Sequence, residues 1–177
     1  MRKVGLLASA MLFNGSVLAV DGISLVHGSS NVADMARVGA LWNWDKQWFT
    51  EGDWMVTGFW EATLGTWRGN DSVAGNNQTI DEVGLTPVFR LQQSNLSGFA
   101  PYAEGAFSFH LISPTFINAN RKFGSSLQFS EHIGFGVRFG DHHEFDLGYC
   151  FQHLSNAGIK EPNQGINFSE VRFAYHF

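Results

Sequence analysis

The sequence predicts an all-β chain, an eight-stranded antiparallel transmembrane β-barrel that follows a cleaved signal peptide. Apolar residues recur with a period of two rather than 3.6 along most of the chain. The apolar load is heavy, with 17 Phe and 6 Trp in 177 residues, yet only 15% of residues are charged. Soluble domains carry about a quarter. The alternating segments also number eight, each near the ~9–11 residues that a tilted strand needs to cross a bilayer.

The elements follow in order. Arg2 and Lys3 form a basic start, residues 4–17 are mostly apolar, and Val17-Leu18-Ala19 is a small-residue cleavage site. Together these predict a signal peptide over 1–19 and a single barrel domain over 20–177. The alternative, an uncleaved anchor, needs ~18 apolar residues, and this run is shorter. A weaker first strand covers about 22–29. In the second, Ala36, Val38, Ala40, Trp42 and Trp44 oppose Arg37, Gly39 and Asn43. In the third, Trp54, Val56, Trp60, Ala62 and Leu64 oppose Thr57, Glu61 and Thr63. Val83, Leu85, Phe89 and Leu91 then oppose Glu82, Thr86 and Arg90, and Ala103, Phe107, Phe109 and Leu111 oppose Glu104, Ser108 and His110. The sixth strand sets Ile133, Phe135, Val137 and Phe139 against His132 and Arg138. The seventh sets Phe145, Leu147, Tyr149 and Phe151 against Asp146 and Gln152. The last sets Val171, Phe173, Tyr175 and Phe177 against Glu170, Arg172 and His176. Stretches rich in Gly, Asn, Ser and Asp separate them at 28–31, 45–53, 69–77, 92–98, 113–124, 140–142 and 156–165.

Alternation alone does not say which face meets the core. A soluble secreted barrel would turn the apolar face inward, and a membrane barrel turns it outward. The aromatic set is too large for an eight-stranded lumen. The polar face carries both signs of charge (Glu61, Glu82, Arg90, Glu104, Arg138, Asp146, Glu170, Arg172), which can pair and fill a narrow interior. The terminal strand ending on Phe177 resembles the assembly signal of bacterial outer-membrane barrels. Trp42, Trp44, Trp48 and Trp54 cluster as an interfacial girdle would. An even strand number puts both ends on the periplasmic side, with the longer loops facing outward.

The net charge of −5 disfavours nucleic acid as a partner. The single Cys150 excludes an internal disulfide and a cysteine-based zinc site, and its parity makes it a small packed thiol inside. His27, His110, His132, His142, His143 and His176 show no paired metal-ligand spacing, so neither metal nor cofactor is expected. Arg121, Lys122 and Lys160 fall in outward loops, as solvated charges or as contacts for phosphate groups.

One stretch carries chemistry. Counting from Phe145 puts His153 and Ser155 on the lipid-facing side at the outer end of the seventh strand. Counting back from Phe177 puts Asn167 on that side of the eighth. Polar groups there are costly unless they have a role. A serine hydroxyl becomes nucleophilic when an imidazole takes its proton and a third group holds the imidazole tautomer. The Asn156-Ala157-Gly158 turn can aim backbone N–H groups at a developing oxyanion, and the amides of Asn156 or Asn163 could add a donor. By itself a His-x-Ser on a strand is equally read as two polar residues at an interfacial rim.

The stretch resembles the active-site motif of the lipid A 3-O-deacylase (PagL) family, in which His-x-Ser-Asn-(Ala/Gly)-Gly is followed by Pro-Asn-x-Gly-Ile. His153, Ser155, Asn156, Ala157, Gly158, Pro162, Asn163, Gly165 and Ile166 match it. The resemblance extends to Trp42-Asn43-Trp44-Asp45-Lys46, Pro101-Tyr102-Ala103-Glu104 and Gly124-Ser125-Ser126-Leu127-Gln128-Phe129. It implies an eight-stranded outer-membrane esterase that removes the 3-linked hydroxyacyl chain from lipid A in the outer leaflet. Ser155 would be nucleophile and His153 general base, with Phe129, Asn156 and Asn163 beside the site. A homodimer is one oligomeric option. Asn167 departs from the pattern, because the best-known members have Glu there. Three readings stay open: Asn167 suffices, Glu161 substitutes, or the enzyme is slow or inactive. The rival class is a non-catalytic barrel, an adhesin or structural protein.

Overall fold

The computed structural model describes residues 19–70 and 76–177, so the signal peptide expected over 1–19 lies almost wholly outside the described residues. Among the described residues ten strands form: β1 (Gly22–Ser29), β2 (Ala33–Asn43), β3 (Trp54–Gly69), β4 (Thr79–Gln93), β5 (Ala100–Ser113), β6 (Phe116–Asn118), β7 (Arg121–Lys122), β8 (Leu127–Phe139), β9 (Phe145–Ser155) and β10 (Ile166–His176). Eight of them close a barrel in the order β1-β10-β9-β8-β5-β4-β3-β2, every pair antiparallel. Closure pairs every strand edge, which a chain surrounded by lipid requires because lipid offers no hydrogen bonds. The β6–β7 hairpin stands apart, inside a connection expected as a plain turn.

Burial follows the predicted parity. Ile133 is 72% exposed and Phe135 64%, on the same wall as Leu25, Leu64, Phe107 and Phe173. An apolar wall of this kind is matched to acyl chains rather than water. The connection before β3 folds onto that wall. Trp44 packs against Trp48, Trp60 and Phe89, its ring centroids 6.2, 6.0 and 4.9 Å from theirs. Loop length departs from expectation: the β1–β2 link is the short segment 30–32, whereas 44–53 at the opposite rim is longer.

The lumen is layered. Its middle holds charges in pairs. Arg37 reaches from β2 to Glu82 on β4, Glu170 on β10 and Gln152 on β9, each at 3.0 Å. Arg90 on β4 pairs with Glu104 on β5 at 2.8 Å and Asp146 on β9 at 2.7 Å, and its guanidinium lies 3.7 Å from the centre of the Tyr102 ring. Arg172 on β10 bonds Glu104 at 3.0 Å. An apolar plug closes each end. Leu41, Phe59, Val88 and Ala174 fill the rim where β10 ends. Met35, Trp67, Ile117, Phe123, Leu154 and Phe168 fill the other. Trp67 and Phe168 have inward parity, so the luminal face is not uniformly polar as the sequence pattern suggested.

Removing Arg37 strands Glu82 and Glu170 without their cation. Breaking a buried charge pair from one side costs about 3–5 kcal/mol. Arg37→Ala is therefore expected to lower barrel stability by about that amount, measured as urea unfolding in detergent micelles with the mobility difference between folded and unfolded barrel as the readout. An unchanged midpoint would show that the cross-lumen pairs do not hold the strands.

Candidate active site on the outer wall

Three adjacent strands build the site. His153 and Ser155 alternate with buried Leu154 near the end of β9, so both side chains face the wall. The β9–β10 register sets Asn167 opposite His153. The β8–β9 register sets Phe129 opposite Ser155 and Glu131 opposite His153. Directly opposed residues share a face, their Cβ atoms about 4.5–5.5 Å apart. The sequence motif and two neighbouring strands thus converge on one patch.

His153 Nδ1 and Asn167 Oδ1 lie 2.5 Å apart. The amide oxygen only accepts, so Nδ1 carries the proton and Nε2 keeps its lone pair for a proton from serine. Gly165 makes room for this ring. Its φ is +58°, and a Cβ placed there would lie 3.1 Å from His153 Cε1 and 3.4 Å from Ser155 Cβ. Both side chains therefore border the same small space. The backbone N–H of Ala157 lies 3.4 Å from Ser155 Oγ, in a turn where Ala157 itself has φ 54°.

The two further asparagines have scaffolding positions. Asn156 is fully buried. Its Nδ2 donates to the carbonyl oxygens of Phe123 at 2.7 Å and Lys160 at 2.6 Å, and its Oδ1 accepts the Gly158 N–H at 3.0 Å. The Asn156 amide expected to face an oxyanion is thus committed to the loop, a demand of buried carbonyls that the sequence does not display. Asn163 Oδ1 accepts the Asn156 N–H at 3.0 Å. Through Phe123 the loop is tied to the luminal plug, where that ring lies 5.8 Å from Trp67. Arg121 donates to the Gln164 and Gly165 carbonyls, at 3.2 and 2.8 Å, and so fixes the segment that carries Gly165.

Other expectations resolve in the same geometry. Glu161 accepts the Asn163 N–H at 2.9 Å, turned back on its own loop. Glu170 is buried in the lumen beside Arg37, as its parity required. Phe129 stacks on Phe107 at 5.9 Å and meets Phe109 edge-on at 5.7 Å, an aromatic wall beside Ser155. Lys122 and Lys160 line one loop cavity of about 610 Å³ with Phe116, Asn118 and Pro162. Inside the barrel, ligand atoms of Glu104, His132 and Cys150 lie within 4.8 Å of one another, a grouping that sequence spacing did not reveal. There Glu104 Oε2 is taken by Arg90 and Arg172, and Oε1 accepts the Cys150 thiol at 3.3 Å. Phe123 and Glu131 were not singled out from the sequence, and Gly165 entered there only as a motif match. Glu131 left a readable signal, since it interrupts the outward apolar series Phe129, Ile133, Phe135.

Fold and site together describe a membrane barrel that carries a serine and a histidine side by side on its apolar outer wall. The chain belongs to the lipid A 3-O-deacylase (PagL) family, whose model matches residues 34–176. It is 32% identical to lipid A deacylase PagL of Pseudomonas aeruginosa over 152 residues, 85% of this chain and 83% of that protein. It is 37% identical to lipid A deacylase PagL of Bordetella bronchiseptica over 96 residues, 54% of this chain and 50% of that one. The crystal structure of the outer membrane enzyme PagL superimposes with a TM-score of 0.76 at 26% identity, covering 88% of this chain and 99% of that one. The chain is thus an outer-membrane barrel of that family. The homodimer considered from sequence finds no support in these comparisons.

Asn156→Ala removes two donors to buried carbonyls, each costing about 1–3 kcal/mol when left unsatisfied. Limited trypsin digestion of the folded barrel should then cut after Lys160 markedly faster than in the unaltered protein. Equal cutting rates would show that the amide does not moor the loop. Gly165→Ala, strained at its positive φ and crowding His153, is expected to slow hydrolysis about ten- to a hundredfold while the barrel still folds.

Proposed function

We propose that this chain hydrolyses the ester that links the hydroxyacyl chain to position 3 of lipid A, with Ser155 as nucleophile and His153 as general base. The observation that carries the reading is the His153 Nδ1 to Asn167 Oδ1 contact, which leaves Nε2 as a free base on the same wall as Ser155. Membership of the deacylase family supports the reaction class.

In the proposed cycle, Ser155 Oγ attacks the ester carbonyl carbon as its proton passes to His153 Nε2. The carbonyl oxygen becomes an oxyanion, which the Ala157 N–H and the Asn163 amide can meet. Collapse expels the sugar oxygen, which takes the proton back from His153. A water molecule, deprotonated by the same nitrogen, then releases the fatty acid from Ser155. Phe107, Phe109 and Phe129 offer an apolar track for the departing chain. The Lys122 and Lys160 cavity offers positive charge to the lipid A phosphates. Arg121, read from the sequence as either a solvated loop charge or a phosphate contact, donates to the Gly165 carbonyl of the loop. With lipid A in the outer leaflet, the rim carrying the site faces outward and both chain ends face the periplasm. Residues 1–19 act as the removable leader.

Asn167 bears on rate. Replacing the triad acid by its amide costs about 10⁴ in a serine protease, through the wrong tautomer. Here the amide oxygen faces Nδ1, so the tautomer is correct. The lipid A mass spectrum of Gram-negative cells expressing the chain should show loss of one 3-hydroxyacyl mass, with none in cells expressing Ser155→Ala. Intact lipid A with a correctly folded barrel in the membrane would favour the non-catalytic reading.

A further inference from the structure

The inner face of the barrel carries a second grouping of reactive side chains, and register builds it. Glu104 on β5 is opposed to Gly134 on β8, and Gly134 is opposed to Cys150 on β9. Gly134 has no side chain, so its two neighbours reach over it towards each other. A Cβ there would lie 2.5 Å from Cys150 Sγ. His132 stands two residues along β8, on the same inner face. Glu104 Oε1 accepts the Cys150 thiol at 3.3 Å, and His132 Nε2 lies 3.9 Å from that same oxygen. The His132 side chain is only 8% exposed, and its Nε2 has no hydrogen-bond partner. A buried ring nitrogen left so is costly. Arg90 and Arg172 hold Glu104 Oε2, which leaves Oε1 to the thiol and the ring. A cavity of about 20 Å³, lined also by Thr86 and Gln152, adjoins the three residues. That is room for about one water.

Charge points the same way. Among the described residues the buried acids number five (Glu61, Glu82, Glu104, Asp146 and Glu170), and the buried guanidiniums three (Arg37, Arg90 and Arg172). Arg138 is half-buried at the rim, its Nε and Nη2 engaged by the His143 carbonyl. His110, bonded to Glu82, can offset one acid at most. An enclosed carboxylate without a cation is costly.

We propose that Glu104, His132 and Cys150 form a zinc site inside the barrel. One cysteine cannot build an all-thiolate centre, but a mixed donor set needs only one. Thiolate, imidazole and carboxylate suit Zn²⁺, and a sulfur ligand disfavours Mg²⁺ and Ca²⁺. On binding, Cys150 releases its proton to water, and Sγ, His132 Nε2 and Glu104 Oε1 each bond the ion. With Zn–S about 2.3 Å and Zn–N or Zn–O about 2.0 Å, the ligand atoms of a tetrahedral site stand roughly 3.3–3.6 Å apart. The thiol and the carboxylate already have that spacing, and the ring need move only about half an ångström. A water in the adjoining cavity takes the fourth position. Apolar clusters fill both ends of the lumen, so the ion enters as the barrel closes and is then held. It ties β5, β8 and β9 together from within. It takes no part in the proposed hydrolysis, and the site stands whether or not the chain is a deacylase.

The test is to unfold the untagged chain in urea and refold it into detergent micelles with either equimolar zinc or excess chelator. Metal in the folded fraction is then measured by inductively coupled plasma mass spectrometry. The unaltered chain refolded with zinc should hold about one ion, and Cys150→Ser and His132→Gln at most about a tenth of that. Refolding with chelator should lower the thermal unfolding midpoint of the unaltered chain and leave that of Cys150→Ser unmoved. Cobalt offered in place of zinc should give the near-ultraviolet absorption of thiolate-to-cobalt charge transfer, a readout that needs no variant to fold. A folded chain without that absorption would overturn the proposal. So would a zinc content equal in the unaltered chain and both variants, which would place the ion on surface groups such as His142 and His143.

Discussion

Arg37, Arg90 and Arg172 neutralise the carboxylates enclosed by the strands, and the form of the molecule depends on that pairing. A strand alternates its faces without exception, so a wall that is apolar outside must present its other residues inside. In an eight-stranded ring those residues have nowhere to go but against each other. Here Glu82 and Glu170 meet Arg37, while Glu104 and Asp146 meet Arg90 and Arg172, and apart from the Arg90–Glu104 pair on adjacent β4 and β5 these contacts span strands that are not neighbours in the ring. The interior is thereby filled and cross-braced. Apolar clusters fill both ends of the described barrel, and the proposed chemistry lies on the outside.

That displacement leaves the outer wall of the barrel to carry the proposed hydrolytic constellation. On a rigid sheet, residues two apart on one strand and directly opposed on the next have fixed separations. His153, Ser155 and Asn167 use those separations, and the register supplies what loops supply in soluble triads. The loop after β9 adds the turn around Ala157. It is held by Asn156 to Phe123, and Phe123 packs on the luminal Trp67. The luminal plug is therefore mechanically continuous with the turn beside Ser155, the proposed nucleophile. A change at Trp67 would reach the site without touching it.

Much of this was legible in sequence because period-two patterning is a direct imprint of a two-faced sheet. The eight barrel strands, the outward aromatic wall, the inward charges and the outward parity of His153, Ser155 and Asn167 all follow from counting residues. The parts that parity does not encode were missed. Trp67 and Phe168 point inward among polar neighbours because the barrel ends need plugs, and an isolated inward aromatic looks the same in sequence as noise. The β6–β7 hairpin is too short to show a period. The commitment of Asn156 to the Phe123 and Lys160 carbonyls depends on how two loops meet. The opposition of Glu131 and His153 depends on the stagger between β8 and β9, which a single sequence leaves unstated. The family motif named the residues of the site, and the register showed which of them face one another.

The most direct measurement is covalent labelling of the folded protein with a fluorophosphonate probe, followed by peptide mass spectrometry. Such probes phosphonylate only serines whose hydroxyl is activated by a neighbouring base. The geometry predicts a single adduct on Ser155 in the unaltered barrel, and none when His153 is replaced by Asn. A folded barrel left unlabelled at Ser155, or labelled there equally without His153, would contradict the assignment of this wall as an active site.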